Sequence, residues 1–414
     1  MIFILYDVAI IGAGPAGMMT AITAAERKKS ILLLEKNSSA GEKLLISGKG
    51  RCNLTNSGSI EDFLDNFPRN GKFLYSAFAR FFNKELIDFF AHRGLKLKME
   101  RGKRIFPESN NSQDVLNALL KYLRRFHVNI RYNSKVINAK KSGNGQFTIF
   151  TKRDKFFSKK IVITTGGLSY PQTGSTGDGF MLARKFGHTI VEPQPALVEI
   201  EIKERFVKKW QGISLKNVAC SLLVDGRIVK NEFGEMLFTH YGVSGPIILN
   251  LSATAYECLK TSKKVELSIN FKPALDKSKI DLRLLREFEQ ASNKELKNIF
   301  VNLLPKRLIE KFLNYIKIDG EIKANQITQV QRNEIIKGLT DFRLNIKRTR
   351  PLREAIVTRG GVETKRINPR TMESKIVKGL YFAGEVIDVD AKTGGYNMQA
   401  AFSTGYVCGI AASS

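Results

Sequence analysis

The chain opens on short apolar runs separated by glycine-rich turns. Ile2 to Ile11 is apolar apart from Tyr6-Asp7, and Gly12-Ala13-Gly14-Pro15-Ala16-Gly17 follows directly. Met18 to Arg27 is alanine-rich and favours a helix, and Ile31 to Leu34 is a second apolar run ending in Glu35. The pattern predicts strand, tight turn, helix and strand, with a carboxylate at the end of the second strand. Further along, Phe73 to Phe90 carries apolar residues at helical spacing. Val115, Leu116, Leu119, Leu120 and Leu123 form one face of a helix capped by Ser112. Gln146 to Thr151 alternates like a strand, and Phe156 to Ser158 continues the hairpin. Ile161-Val162-Ile163 reads as a buried parallel strand running into Thr165-Gly166-Gly167. Asp178-Gly179 opens a helix to Phe186.

The pattern changes at Glu192-Pro193-Gln194-Pro195. Ala196 to Ile202 alternates, Val218 to Val229 predicts a hairpin turning at Asp225-Gly226, and Val265 to Phe271 is another strand. From Lys277 to about Thr340 the period is helical, with one stripe at Leu296, Ile299, Phe300, Leu303 and Leu304. Leu380 to Phe382 is again a strand, entering the turn Ala383-Gly384-Glu385. Thr393-Gly394-Gly395-Tyr396-Asn397 then opens a small-residue helix to Ala412. The implied organisation is a first domain at 1–192 completed by 351–414. Between them lie an inserted β domain at 193–275, a helical subdomain at 276–340 and a returning strand at 341–350.

The first turn has a specific chemistry. Gly12 permits the tight turn, Gly14 lets backbone approach a pyrophosphate, and Gly17 lets helix and strand pack closely. The helix N-terminus presents free N–H groups and a positive dipole end. Glu35 can accept hydrogen bonds from a ribose 2′-hydroxyl and disfavours a 2′-phosphate, so FAD or NAD fits better than NADP. Gly394-Gly395 supplies a second helix N-terminus from the other end of the chain. The loop Ser47 to Asn56 is cationic and glycine-rich but fails as a P-loop, because Gly50 follows Lys49 where Ser or Thr is required.

Composition narrows the class. No apolar stretch reaches the ~18 residues a membrane helix needs. Cys52, Cys220, Cys258 and Cys408 include no CxxC pair, and the four histidines lack metal-ligand spacing, so neither a disulfide framework nor a metal site is expected. This usage suits a reducing cytoplasm. The net charge is +28, from 67 basic and 39 acidic residues. The lysines are spread without a long basic tract, so a solvated surface is the preferred reading over nucleic-acid binding. Ser244 is not a nucleophile elbow, and His240 has no acid or nucleophile near it in sequence. No general acid or base stands out, and a lone cysteine such as Cys52 is more often inert than redox-active.

Several segments together resemble the YhiN/BaiN-type FAD-binding flavoproteins, described as NAD(P)/FAD-dependent or aminoacetone-oxidase-family oxidoreductases. They are Gly12 to Gly17 with Glu35, Ser47 to Asn56, Gly166-Gly167-Leu168-Ser169-Tyr170-Pro171, Leu237-Phe238-Thr239-His240 and Tyr381 to Glu385 with Thr393 to Asn397. The resemblance spans nearly the whole chain. It implies an α/β Rossmann-like domain of glutathione-reductase type, with an inserted antiparallel β-barrel-like domain and a small helical subdomain. It implies bound FAD, reduced either by NAD(P)H binding transiently at the flavin or by the substrate itself. By position, Gly12, Ala13, Gly14, Pro15, Ala16 and Gly17 would line the pyrophosphate, and Glu35 with Lys36 the adenosine ribose. Lys43, Gly48, Gly50, Arg51, Cys52 and Asn53 would form a cofactor-facing loop. Val136 would meet adenine through its backbone, and Thr165, Gly166 and Gly167 would flank the cofactor. Gly384 and Glu385 would approach the ribityl region, and Gly394, Gly395, Tyr396 and Asn397 the flavin end. Arg359 departs from the family pattern, in which a small residue precedes Gly360-Gly361. The expectation is an FAD-dependent oxidoreductase acting on a small molecule. The rivals are an RNA-acting flavoprotein and a flavin-binding protein without turnover.

Overall fold

The computed structural model describes residues 4–261 and 264–414. Ile2 and Phe3 of the first apolar run lie outside the described residues. The chain divides into two compact units, one reaching to Gln194 and including Leu352–Ser414, the other Pro195–Pro351.

The first unit is built on a seven-stranded sheet. Leu5–Ile11 lies at its centre, parallel to Ile31–Leu34 on one side and to Lys155–Ile163 on the other. Asn129–Arg131 extends the sheet beyond Ile31–Leu34. Lys155–Ile163 divides its outer edge between two partners. Its first half pairs antiparallel with Phe147–Thr151, and Ile161–Ile163 pairs in parallel with Leu380–Phe382. The C-terminal segment thus adds a strand beside the N-terminal ones. Val8, Ala9, Ile10, Ile161, Val162 and Ile163 are fully buried, as a sheet covered on both faces requires.

Two helices pack against each other within this unit, Pro15–Ala25 and Tyr396–Ser413. Their approach is close because their contact positions are small. A Cβ on Gly405 would lie 2.5 Å from the Ala16 carbonyl oxygen, and one on Gly409 2.5 Å from the Thr23 Cβ. Thr20 Oγ1 donates to the Gly405 carbonyl at 3.0 Å and fastens the pair. The two ends of the chain are therefore joined through their helices.

The expected phenylalanine helices form as Tyr75–Phe78 and Asn83–Ala91, burying Phe78, Phe81, Phe89 and Phe90. The helix expected to be capped by Ser112 begins there but is capped by Asn111, whose side chain accepts from the Gln113 N–H at 3.0 Å. Ser112 instead donates to the Leu45 carbonyl at 2.7 Å. The alternating run Ala196 to Ile202 is broken into two strands, Ile190–Ala196 and Ile200–Ile202, because Leu197 takes a left-handed backbone at φ 54°.

The second unit contains a closed antiparallel barrel of six strands. Its longest hairpin joins Ser214–Val224 to Arg227–Phe238 through Asp225 and Gly226, both at positive φ as a tight hairpin turn demands. Helices 277–290, 306–315 and 329–340 share one core with the barrel, in which Leu284, Phe300, Phe312, Leu339 and Phe342 are buried.

Candidate active site

The glycines of the first turn carry different loads. Gly12 sits at φ +104°, and a Cβ there would lie 2.7 Å from the Thr164 carbonyl oxygen. A Cβ on Gly17 would lie 1.9 Å from the Gly12 carbonyl oxygen. Both glycines are required by the protein's own packing. Gly14 is not: its φ is −79°, open to any residue, and a Cβ there would meet nothing within 4 Å. Neither backbone nor packing requires a glycine at this helix N-terminus. The open space beside it leaves room for an external group such as a pyrophosphate to approach the backbone.

Glu35 closes the other side. Its carboxylate accepts from the Ala13 N–H and the Asn37 N–H, each at 2.9 Å. Burial pushes its carboxyl upward, against the pull of the backbone N–H groups. Two bonds leave lone pairs on this carboxylate for a ribose hydroxyl. Lys36 is turned elsewhere, donating to Asp178 at 2.8 Å and bonding Thr176. Val136 begins the strand Val136–Lys141 and is buried.

A polar cluster stands at the end of the C-terminal strand. Gly384 takes φ +75° and approaches the first helix, where a Cβ would lie 2.9 Å from the Ala16 Cβ. Glu385 accepts from Lys43 at 2.7 Å, from the Thr358 N–H at 2.7 Å and from Ser169 Oγ at 3.1 Å. Lys43 also donates to Ser169 Oγ at 2.6 Å. Thr358 Oγ1 accepts from the N–H groups of Leu168 and Ser169. Gly167 is needed here, since its Cβ would fall 2.4 Å from Thr358 Oγ1. Ser169 and Thr358 were not singled out from the sequence as site residues, because no local spacing marks them. Thr165 offers backbone only: its hydroxyl is turned onto Gly179, 2.1 Å from where that residue's Cβ would be.

The cationic loop is shaped by its backbone. Gly48, Lys49, Gly50 and Cys52 all lie at positive φ. The Arg51 guanidinium sits 4.1 Å from the Phe106 ring centroid, is paired with Glu100, and donates to Asn110 at 3.0 Å. Its charge is thus committed within the protein. Cys52 is fully buried, and burial pushes its thiol up to about 12. That removes the thiolate on which a redox role would depend. Asn53, in the amide orientation that satisfies its neighbours, accepts from the Gly395 N–H at 3.0 Å and donates to Ile105 and Thr55 carbonyls. Asn56 donates to the carbonyls of Gly102, at 2.8 Å, and Gly394, at 3.3 Å. Loop and glycine pair therefore lie together.

Gly395 caps the C-terminal helix at φ +100°, where a Cβ would collide with the Thr55 backbone at 2.5 Å. The Tyr396 ring packs edge-on against Phe63 at 4.8 Å. Asn397 folds its amide back onto the backbone of Ala391, bonding its N–H and its carbonyl at 2.9 and 3.0 Å, so its side chain braces the turn. Arg359, the departure from the family pattern, is buried and paired with Asp390 at 2.9 Å. Asp388 lies beside them, held by Asn70 at 2.9 Å, and burial pushes its carboxyl up. His240 is exposed and its ring lies against Tyr241. Among the described residues there is no cluster of metal-ligating side chains, and no helix is long and apolar enough to cross a membrane.

A mostly parallel Rossmann-like sheet with a glycine-rich first turn is the fold of an FAD-dependent oxidoreductase. The family model described as HI0933-like protein Rossmann domain matches residues 6–411, and the chain belongs to that family. A 3-dehydro-bile acid delta(4,6)-reductase of Clostridium scindens is 32% identical over 98% of this chain and 98% of its own. A ribosomal RNA dihydrouridine synthase of Escherichia coli is 32% identical over 97% of each chain. Among solved structures, a 3-ketosteroid delta1-dehydrogenase from Sterolibacterium denitrificans aligns over 99% of both chains with a TM-score of 0.52 and 13% identity, a likeness of fold.

Proposed function

We propose that this chain saturates a ring carbon–carbon double bond conjugated to a carbonyl, and that its substrate is a uracil base within RNA. The names of the two relatives describe one chemistry on different molecules. In a 3-oxo steroid with Δ4,6 unsaturation, and in uracil, the double bond is polarised by a ring carbonyl. Its β carbon accepts hydride and its α carbon then accepts a proton. Bound FAD supplies the hydride-carrying chemistry. The chain's own part is to bind and orient. Gly14 and the first helix N-terminus would receive the pyrophosphate, and Glu35 the ribose. Glu385, held by Lys43, Ser169 and the Thr358 N–H, would face the ribityl region. The helix opening at Gly395 would offer its positive end to the electron-rich edge of the isoalloxazine.

The RNA reading is supported by the likeness to the Escherichia coli relative over 97% of each chain, to which a net charge of +28 adds a field that favours a polyanion. The Clostridium relative favours a second reading, a small-molecule enone. NAD(P)H serves as the electron donor in both, binding transiently, since the sequence carries no second dinucleotide fingerprint. The test is to incubate holoprotein anaerobically with NADPH and protein-free ribosomal RNA, then digest to nucleosides and weigh the uridine fraction. A 2 Da gain is expected. Unchanged uridine, together with turnover of a 3-oxo-Δ4 steroid, would replace the RNA reading with the second one.

A further inference from the structure

The small sheet formed by Thr55–Asn56, Leu97–Glu100 and Arg104–Pro107 carries a basic tip. Between Lys96 and Arg104 the chain holds five cationic residues, Lys96, Lys98, Arg101, Lys103 and Arg104, against the single acid Glu100. Lys96, Arg101 and Lys103 are exposed. Met99 projects between them, 66% exposed. Glu100 is paired with Arg51 and lies 3.9 Å from Lys98, and Asp62 is 3.5 Å from Lys103.

The position of this tip is fixed by the cofactor loop. The Leu54 N–H donates to the Ile105 carbonyl at 2.9 Å, and the Ser57 N–H to the Lys103 carbonyl at 2.8 Å. Asn56 spans the Gly102 and Gly394 carbonyls. The hairpin is therefore built onto the segment that holds Gly394-Gly395, the expected flavin end. A cationic, partly apolar projection at that place has the chemistry to hold the sugar-phosphate strand beside a base.

We infer that the 96–104 hairpin is the RNA-docking element, gripping phosphates next to the reacting base. This rests on the RNA reading above. It also separates this hairpin from the other basic surface of the same unit, the groove lined by Lys140, Lys141, Lys185 and Lys378.

The experiment compares two triple reversals of equal charge in the FAD-loaded full chain. One is Lys96→Glu, Arg101→Glu, Lys103→Glu; the other is Lys140→Glu, Lys185→Glu, Lys378→Glu. Binding of a labelled 20-nucleotide uridine-rich RNA is followed by anisotropy across a salt series, with flavin absorbance reporting fold and cofactor content. The hairpin variant is expected to bind at least tenfold more weakly. Its salt slope should be shallower by about 2, at roughly 0.7 per lost phosphate contact on a single strand. The groove variant should stay within threefold of wild type. Equal weakening in both variants, or loss in the groove variant alone, overturns the assignment. Competition by polyglutamate as strong as by unlabelled RNA also overturns it, in favour of an acidic polypeptide. Wild-type protein that binds no RNA at low salt sinks the RNA reading itself, whereas wild-type binding that survives the hairpin reversal sinks only the hairpin.

Discussion

Replacing Gly14 by alanine separates what the first turn does for the fold from what it does for the cofactor. At φ −79° with nothing within 4 Å of the new Cβ, the substitution brings neither clash nor backbone strain. Two small terms oppose each other in the apoprotein. Losing glycine at a helix N-cap costs up to about 1 kcal/mol. Restricting the unfolded chain returns roughly 0.4–1 kcal/mol. Apoprotein stability should change by less than about 1 kcal/mol. In the proposed cradle the methyl group would enter the space where the pyrophosphate meets the N–H groups of the first helix. A tenfold loss of FAD affinity corresponds to about 1.4 kcal/mol, and at least that much is expected. Gly17→Ala is the contrasting case. Its Cβ would sit 1.9 Å from the Gly12 oxygen and 2.7 Å from Thr164 Oγ1, so helix and strand must part. Such overpacking costs about 1–3 kcal/mol or more, and the variant should be destabilised with or without FAD. The assay is urea unfolding of apoprotein together with FAD titration by quenching of flavin fluorescence. Gly14→Ala protein that binds FAD like wild type would refute the cradle, however stable it proved.

Other outcomes follow from buried polar groups. Arg359→Leu should cost about 3–5 kcal/mol in urea unfolding, because Asp390 stays buried without its cation and beside Asp388; a loss under 1 kcal/mol would mean the pair is not a structural tie. Burial lowers His188 from 6.5 to about 4, with Ser374 as its partner at 2.8 Å. The folded state therefore prefers the neutral ring. Its contribution is complete above pH 6.5 and is lost as pH falls toward 4, by at most about 3 kcal/mol. His188→Gln should flatten the stability profile between pH 6.5 and 5, and an unaltered profile would exclude this residue as its source. Native protein treated with a thiol reagent at pH 8 should label the partly exposed Cys258 and leave the buried Cys52, Cys220 and Cys408 intact. Rapid labelling of Cys52 would return it to consideration as a redox group.

Much of the glycine-turn core of the first unit was legible in the sequence because its determinants are local. Gly12, Gly17 and Glu35 are set by a turn, a helix and a strand that are contiguous in the chain. Their spacing and the apolar runs around them carry the whole instruction. The same holds for the helix opened by Gly394-Gly395 and for the Asp225-Gly226 hairpin. Tertiary structure decided everything that depends on partners distant in the chain. Arg359 read as a departure from a family pattern until the fold set it against Asp390. Glu385 read as a lone carboxylate, and the fold gave it Lys43, Ser169 and Thr358. Arg51 and Cys52 looked like chemistry in a cationic loop, and the packing of Phe106 and Glu100 committed the first while burial silenced the second. The physical reason is the range of the forces. Backbone preference and hydrophobic period act over a few residues and are written in order along the chain. Desolvation, ion pairing and close approach of backbones depend on which segments share a place, and only the folded chain specifies that.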